Sequence, residues 1–202
     1  VFVRRVGREP LSVFHELLSV PSTGGNEVVV GRWRYDGRYN PVEVTPMLLD
    51  TSTQRIRSLD IGGLGDVLGW LFDRKGEPRL ATTLSGGTMQ YHWRTPGETT
   101  WKKIAEFPRL DAPFTPRFVD TDGQLFVSTP SGAAGESELR RFDFATGKPQ
   151  AQALVRTPGF DFDGRLLTDP ESGRAVGLRL RTDAETTVWF DPKMKSLQGT
   201  VD

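Results

Sequence analysis

Arg140-Arg141-Phe142-Asp143-Phe144-Ala145-Thr146-Gly147-Lys148 carries the pattern around which the chain is organised. An alternating run ends on an aspartate, passes a Thr-Gly turn and begins again, which describes a strand, a tight turn and the next strand. The pattern recurs. Leu49-Asp50-Thr51, Trp93-Arg94-Thr95 and Phe190-Asp191-Pro192 also set a large apolar residue before a polar one as an alternating run ends. The second residues, Asp50, Arg94, Asp143 and Asp191, stand 44, 49 and 48 positions apart. A separate landmark keeps the same interval. The glycines that close a polar turn, Gly25, Gly76, Gly123 and Gly173, are spaced by 51, 47 and 50. Asp and Asn in such turns bond their own backbone, and glycine accepts the positive φ the turn requires.

Each repeat resolves into short strands. The first holds Leu11–Val20, Glu27–Tyr35, Val44–Asp50 and Arg55–Leu59. Within it Leu11, Phe14, His15, Leu17 and Leu18 fit a short amphipathic helix as well as a strand, and ten residues of periodicity do not choose between them. The second is expected at Asp66–Phe72, Pro78–Leu84, Thr88–Arg94 and Trp101–Phe107. The third is expected at Thr115–Val119, Gln124–Ser128, Glu138–Phe144 and Gln150–Val155. The fourth runs through Arg165–Thr168, Ala175–Arg181 and Thr186–Phe190 to an incomplete last strand near Leu197–Val201.

Units of four strands at a period of about 40–50 residues are the signature of propeller blades. A lone twisted sheet cannot bury both faces, whereas blades packed side by side can. The expected fold is therefore all-β, a β-propeller of about four consecutive four-stranded blades at 11–60, 66–107, 115–155 and 165–202. Val1-Phe2-Val3 reads as a strand left from a preceding unit, so a slice of a larger ring is favoured over a closed four-bladed one. A β-sandwich would also show short strands, but would not require the two landmarks to repeat in step. A slice leaves a blade face bare at each end, and self-association is expected of it.

Composition narrows the function classes. The 202 residues carry 26 Lys+Arg against 26 Asp+Glu, so no polyanionic partner is implied. Arg32-Trp33-Arg34-Tyr35 is the one local candidate for nucleic-acid stacking; it reads instead as a strand with aromatics on one face and arginines on the other. The absence of cysteine excludes disulfides and thiolate metal sites. No apolar run approaches the roughly 20 residues that span a bilayer. Targeting signals are expected upstream, which leaves cytoplasmic and periplasmic locations open.

Catalytic constellations do not assemble from the sequence. His15 and His92 are the only histidines, and the Gly-x-Ser-x-Gly elbow is missing. Thr83-Leu84-Ser85-Gly86-Gly87 and Thr129-Pro130-Ser131-Gly132-Ala133 come nearest, yet each lacks the first glycine and falls in a loop. His92 alternates with Tyr91 and Trp93 as a blade residue does. Asp120-Thr121-Asp122-Gly123 and Asp161-Phe162-Asp163-Gly164 lack the further ligands of a calcium loop and read as capped turns. The carboxylate pair of a propeller glycosidase has no supporting motif. Gly62-Gly63-Leu64-Gly65 lacks the lysine and helix of a phosphate loop. No catalytic or metal residue and no cofactor is assigned, and the substrate-binding residues are left unassigned.

Three stretches nevertheless resemble a known family. They are Met47-Leu48-Leu49-Asp50-Thr51-Ser52-Thr53-Gln54, Arg141-Phe142-Asp143-Phe144-Ala145-Thr146-Gly147-Lys148, and Gly173-Arg174-Ala175-Val176-Gly177-Leu178 running on to Thr187-Val188-Trp189-Phe190-Asp191-Pro192. They resemble the N-terminal β-propeller of prolyl oligopeptidase-family serine peptidases, in the acylaminoacyl-peptidase and dipeptidyl-peptidase-like branch. Gln54 stands where a turn glycine is expected, and Pro192-Lys193-Met194-Lys195 has none. The resemblance implies a catalytic α/β-hydrolase domain downstream in the same polypeptide, absent from this chain. It also implies a propeller that filters peptide substrates. The expected function is thus a catalytically silent, peptide-gating part of a serine peptidase. The alternatives are a protein-interaction propeller and, third, a propeller glycosidase.

Overall fold

The computed structural model describes residues 11–131, 135–169 and 171–201. Four antiparallel sheets follow one another as the blades of a four-blade β-propeller. Blade 1 holds β1 (His15–Ser19), β2 (Glu27–Tyr35), β3 (Pro41–Asp50) and β4 (Ile56–Ser58). Blade 2 holds β5 (Val67–Phe72), β6 (Pro78–Ser85), β7 (Thr88–Trp93) and β8 (Lys102–Pro108). Blade 3 holds β9 (Thr115–Val119), β10 (Leu125–Ser131), β11 (Glu136–Asp143) and β12 (Lys148–Pro149). Blade 4 has β13 (Gly164–Thr168), β14 (Ala175–Arg181) and β15 (Glu185–Trp189), followed by helix α1 (Pro192–Val201). Every strand pairs with its neighbour in sequence, so each blade is a simple meander.

The period-2 pattern of each strand sends alternate side chains to the two seams. Leu125, Val127 and Phe142 pack toward blade 2, against Leu80, Tyr91, Trp93 and Phe107. Phe126 and Leu139 point the other way and meet Leu178 and Leu180 of blade 4. Between blades 1 and 2 the contact is partly polar: Trp70 Nε1 donates to the Val44 carbonyl at 2.8 Å. The turn glycines serve the seams too. Gly173 has φ +74°, and a Cβ there would lie 2.4 Å from Thr121 Oγ1 of the preceding blade. Thr121 Oγ1 itself donates to the Gly173 carbonyl at 2.6 Å, and Arg74 Nη1 reaches from blade 2 to the Asp169 carbonyl at 2.8 Å. Among the described residues no hydrogen bond, ion pair or apolar cluster joins blade 4 to blade 1, and Leu17 and Ile56 remain 62% and 44% exposed.

Four expectations change or are settled. Leu11–Val20 contains a strand, because His15 and Leu17 pair with Arg32 and Val30. The strand expected at Gln150–Val155 shrinks to Lys148–Pro149, with one isolated bridge from Val155 to Leu139. Pro149 cannot donate to a ladder, and Arg140 Nη1 takes the Gln150 and Ala151 carbonyls in place of a strand. The strand expected at Leu197–Val201 is helical. Asp191 Oδ1 accepts the N–H groups of Lys193 (2.8 Å) and Met194 (3.1 Å), and Pro192 fills the first helical position. That combination starts helices. Gln54, lastly, adopts φ +62°, so the turn keeps its left-handed residue without glycine. Residues 1–5 and the Gly132-Ala133 pair lie outside the described residues.

Candidate functional site

The residues singled out by sequence occupy structural roles. Ser12 Oγ meets His15 Nδ1 at 2.9 Å within one exposed turn. Thr83 Oγ1 meets His92 Nε2 at 3.1 Å on blade 2. Burial, followed by the charge of Lys103, draws the His92 pKa below its ordinary value. Neither histidine has a carboxylate hydrogen bond among the described residues, so the third member that orients a catalytic base is lacking. Asp120 Oδ1 accepts the N–H groups of Asp122 (3.1 Å) and Gln124 (2.9 Å), as a turn cap does. Asp161 Oδ1 binds the Ser137 N–H at 3.0 Å, while Asp163 pairs with Arg181. No group of three metal-ligating side chains gathers among the described residues. Trp33 and Tyr35 share a face with ring centroids 6.4 Å apart, and Arg34 binds Glu43 and Asp66.

The repeat itself carries a signal that motif patterns do not capture. Of the four residues at the end of the third strand or just past it, three are aspartates that cap the next turn. Asp50 Oδ1 takes the Ser52 and Thr53 N–H groups at 2.8 and 3.0 Å, Asp143 Oδ1 the Ala145 N–H at 2.9 Å, and Asp191 starts α1. Arg94 is the odd copy, and it is buried, with 5% of its surface exposed. Its Nε donates to the Pro78 carbonyl at 3.1 Å and Nη1 to the Asp60 carbonyl at 3.3 Å. The guanidinium lies 5.1 Å from the centroid of Trp101, whose Nε1 is tied to the Ile61 carbonyl at 2.7 Å. The short β4 allows this. The chain leaves blade 1 early, and residues 59–66 cross to blade 2 to supply the Asp60 and Ile61 carbonyls.

Arg94 lines a cleft of about 540 Å³ at the seam of blades 1 and 2. Burial draws its pKa down, and the carboxylate of Glu77 works against that; at 3.5 Å Glu77 is a loose partner. Beneath lies a second buried pair, with Arg79 Nε donating to Asp73 Oδ2 at 2.7 Å and Asp73 Oδ1 holding the Lys75 and Glu77 N–H groups. Across the opening Arg57 grips Glu27 through two bonds of 3.1 Å. Cations (Arg57, Lys75, Arg94) and carboxylates (Glu27, Asp60, Glu77, Glu98) therefore share one opening. Such a surface suits a ligand with groups of both signs and disfavours a polyanion.

No family model matches the chain, and no curated protein matches it. Among solved structures, the crystal structure of the eukaryotic initiation factor aligns over 88% of this chain and 42% of its own length, at 10% identity and a TM-score of 0.39. The chain thus spans less than half of that structure. At that score the likeness carries no functional reading.

Proposed function

We propose that this propeller is a non-catalytic module that holds peptides in the cleft between blades 1 and 2. The observation that carries the proposal is Arg94: a buried guanidinium, fixed by two carbonyls, with its cleft-side carboxylate only loosely engaged. A peptide carboxylate can replace Glu77 there, while the remaining carboxylates receive the ammonium group. Charge-assisted bonds to a pre-positioned arginine are among the stronger polar contacts available to a protein. The resemblance to prolyl oligopeptidase-family propellers extends the reading. In that form the module gates peptides for an α/β-hydrolase domain of the same polypeptide.

The test is a titration of tetra-alanine with free termini, followed by tryptophan fluorescence because Trp101 lies against Arg94. Saturable binding is expected, weakened by C-terminal amidation and by Lys75→Glu. No saturable response, or one indifferent to both changes, overturns the peptide reading. Inhibitor-sensitive hydrolysis of aminoacyl chromogenic substrates by the purified chain overturns the non-catalytic one. A Gly-x-Ser-x-Gly elbow followed by Asp and His in the continuing reading frame supports the gating form, and a stop codon soon after Asp202 refutes it.

A further inference from the structure

The face of blade 3 turned toward blade 2 changes character along its length. Leu125, Val127 and Phe142 make it apolar at one end. The same alternation then brings up Thr129 and Ser131 on β10, opposite Glu138 and Glu136 on β11. Glu138 has 2% of its side chain exposed and is bonded by two arginines. Arg140 Nη2 donates to Oε1, and Arg156 Nε donates to Oε2 at 2.7 Å. Burial pushes the Glu138 carboxyl up, but the hydrogen bonds and charges of Arg140 and Arg156 outweigh it and hold the group below its ordinary value.

Arg140 Nε and Thr129 Oγ1 are buried without a hydrogen-bond partner. Arg156 spends only Nε on Glu138; neither Nη makes a bond to a described residue, and the side chain is 66% exposed. Arg156 lines a second cleft of about 540 Å³ together with Pro130, Ser131, Thr157 and Pro158. Glu136 stands on its rim, one oxygen accepting the Gly159 N–H at 3.0 Å. A planar guanidinium anchored on one edge by a buried carboxylate presents its other N–H groups in a fixed fork, the geometry that fits oxyanions.

We infer that this cleft is an oxyanion site in which Arg156 grips the carboxylate or phosphoryl end group of a ligand and Glu138 acts as the positioning residue. The site is separate from the cleft at Arg94 and stands or falls independently of it. The direct readout is the ¹⁵N shift of Arg156 Nε, titrated with inorganic phosphate and, separately, with acetate at constant ionic strength and neutral pH. A saturable shift with phosphate alone assigns a phosphoryl ligand, with acetate alone a carboxylate, and with both a general oxyanion site. No saturable shift with either overturns the inference. Arg156→Lys, which keeps the charge and loses the fork, is followed through the backbone ¹⁵N shift of Thr157 in the same cleft and is expected to weaken binding about tenfold or more. Glu136→Gln removes the like charge on the rim and is expected to tighten it about two- to threefold. Glu138→Gln should weaken binding although Arg156 remains. If that variant does not fold, the Arg156→Lys and Glu136→Gln pair decides, and unchanged affinity in both refutes the site.

Discussion

Phe142→Ala is the perturbation that most directly tests how the blades are held together. Phe142 is 2% exposed and sits at the seam of blades 2 and 3. Its ring centroid lies 5.2 Å from that of Phe114 and 5.1 Å from that of Phe144. Truncating a buried phenylalanine to alanine costs about 3–5 kcal/mol, counting lost transfer energy and the cavity. Because both ring pairs disappear with the one side chain, this site belongs toward the upper half of that range. With total stability on the order of 5–15 kcal/mol, that is a large share. The melting temperature should fall by about 8–20 °C in a chain of this size. Urea unfolding followed by tryptophan fluorescence reports on it locally, since the Trp93 ring is 4.7 Å from Phe144. Phe144→Ala is the control: its residue is 42% exposed, and truncation should cost about 1 kcal/mol. If Phe142→Ala costs no more than Phe144→Ala, the seam is not the source of cohesion and the reasoning fails.

Asp36, Asp50, Asp143 and Asp169 all hold their carboxyls below the ordinary value through turn hydrogen bonds, and Glu138 does so through its arginines. A depressed carboxyl stabilises the fold above its unfolded pKa, near 4, and ceases to as pH falls through the folded value. Urea midpoints should therefore fall gently from about pH 6.5, where the unfolded state takes up the His92 proton before the folded one does, and steeply below about pH 4; a midpoint unchanged between about pH 5 and pH 3 would contradict this. Asp120 runs the other way: burial raises its pKa despite the N–H groups of Gln124 and Asp122. Asp120→Asn keeps the oxygen acceptor and should be neutral or slightly stabilising at pH 7, whereas Asp50→Asn should destabilise; equal losses in chemical denaturation would refute the distinction. Gly173→Ala places a methyl 2.4 Å from Thr121 Oγ1 at φ +74°. It should lower stability by at least about 1–2 kcal/mol by calorimetry, and a neutral result would show that the turn moves freely.

The architecture is legible in the sequence because its cause is local. Alternation at period 2, together with Asp and Gly in the turns, repeats every blade, and Gly76, Gly123 and Gly173 all take the positive φ those turns require. Leu11–Val20 is not legible. What makes it a strand is the available edge of β2, a partner that lies outside its own ten residues. The last segment misleads because Asp191-Pro192 looks like one more strand end. It is also a helix cap, and only the structure shows which use prevails. Arg94 stands in the sequence as the odd residue of its series. Its burial depends on carbonyls from Asp60 and Pro78, brought together when the linker crosses a seam. Glu138, Arg140 and Arg156 show the same limit. Alternation places the first two on one face, but Arg156 joins them from beyond the short β12. Repeating local chemistry thus determined that this chain builds blades. Which charged side chains meet in the clefts between and beside them was decided by tertiary packing, because hydrogen bonds to a buried guanidinium or carboxylate come from segments distant in the chain.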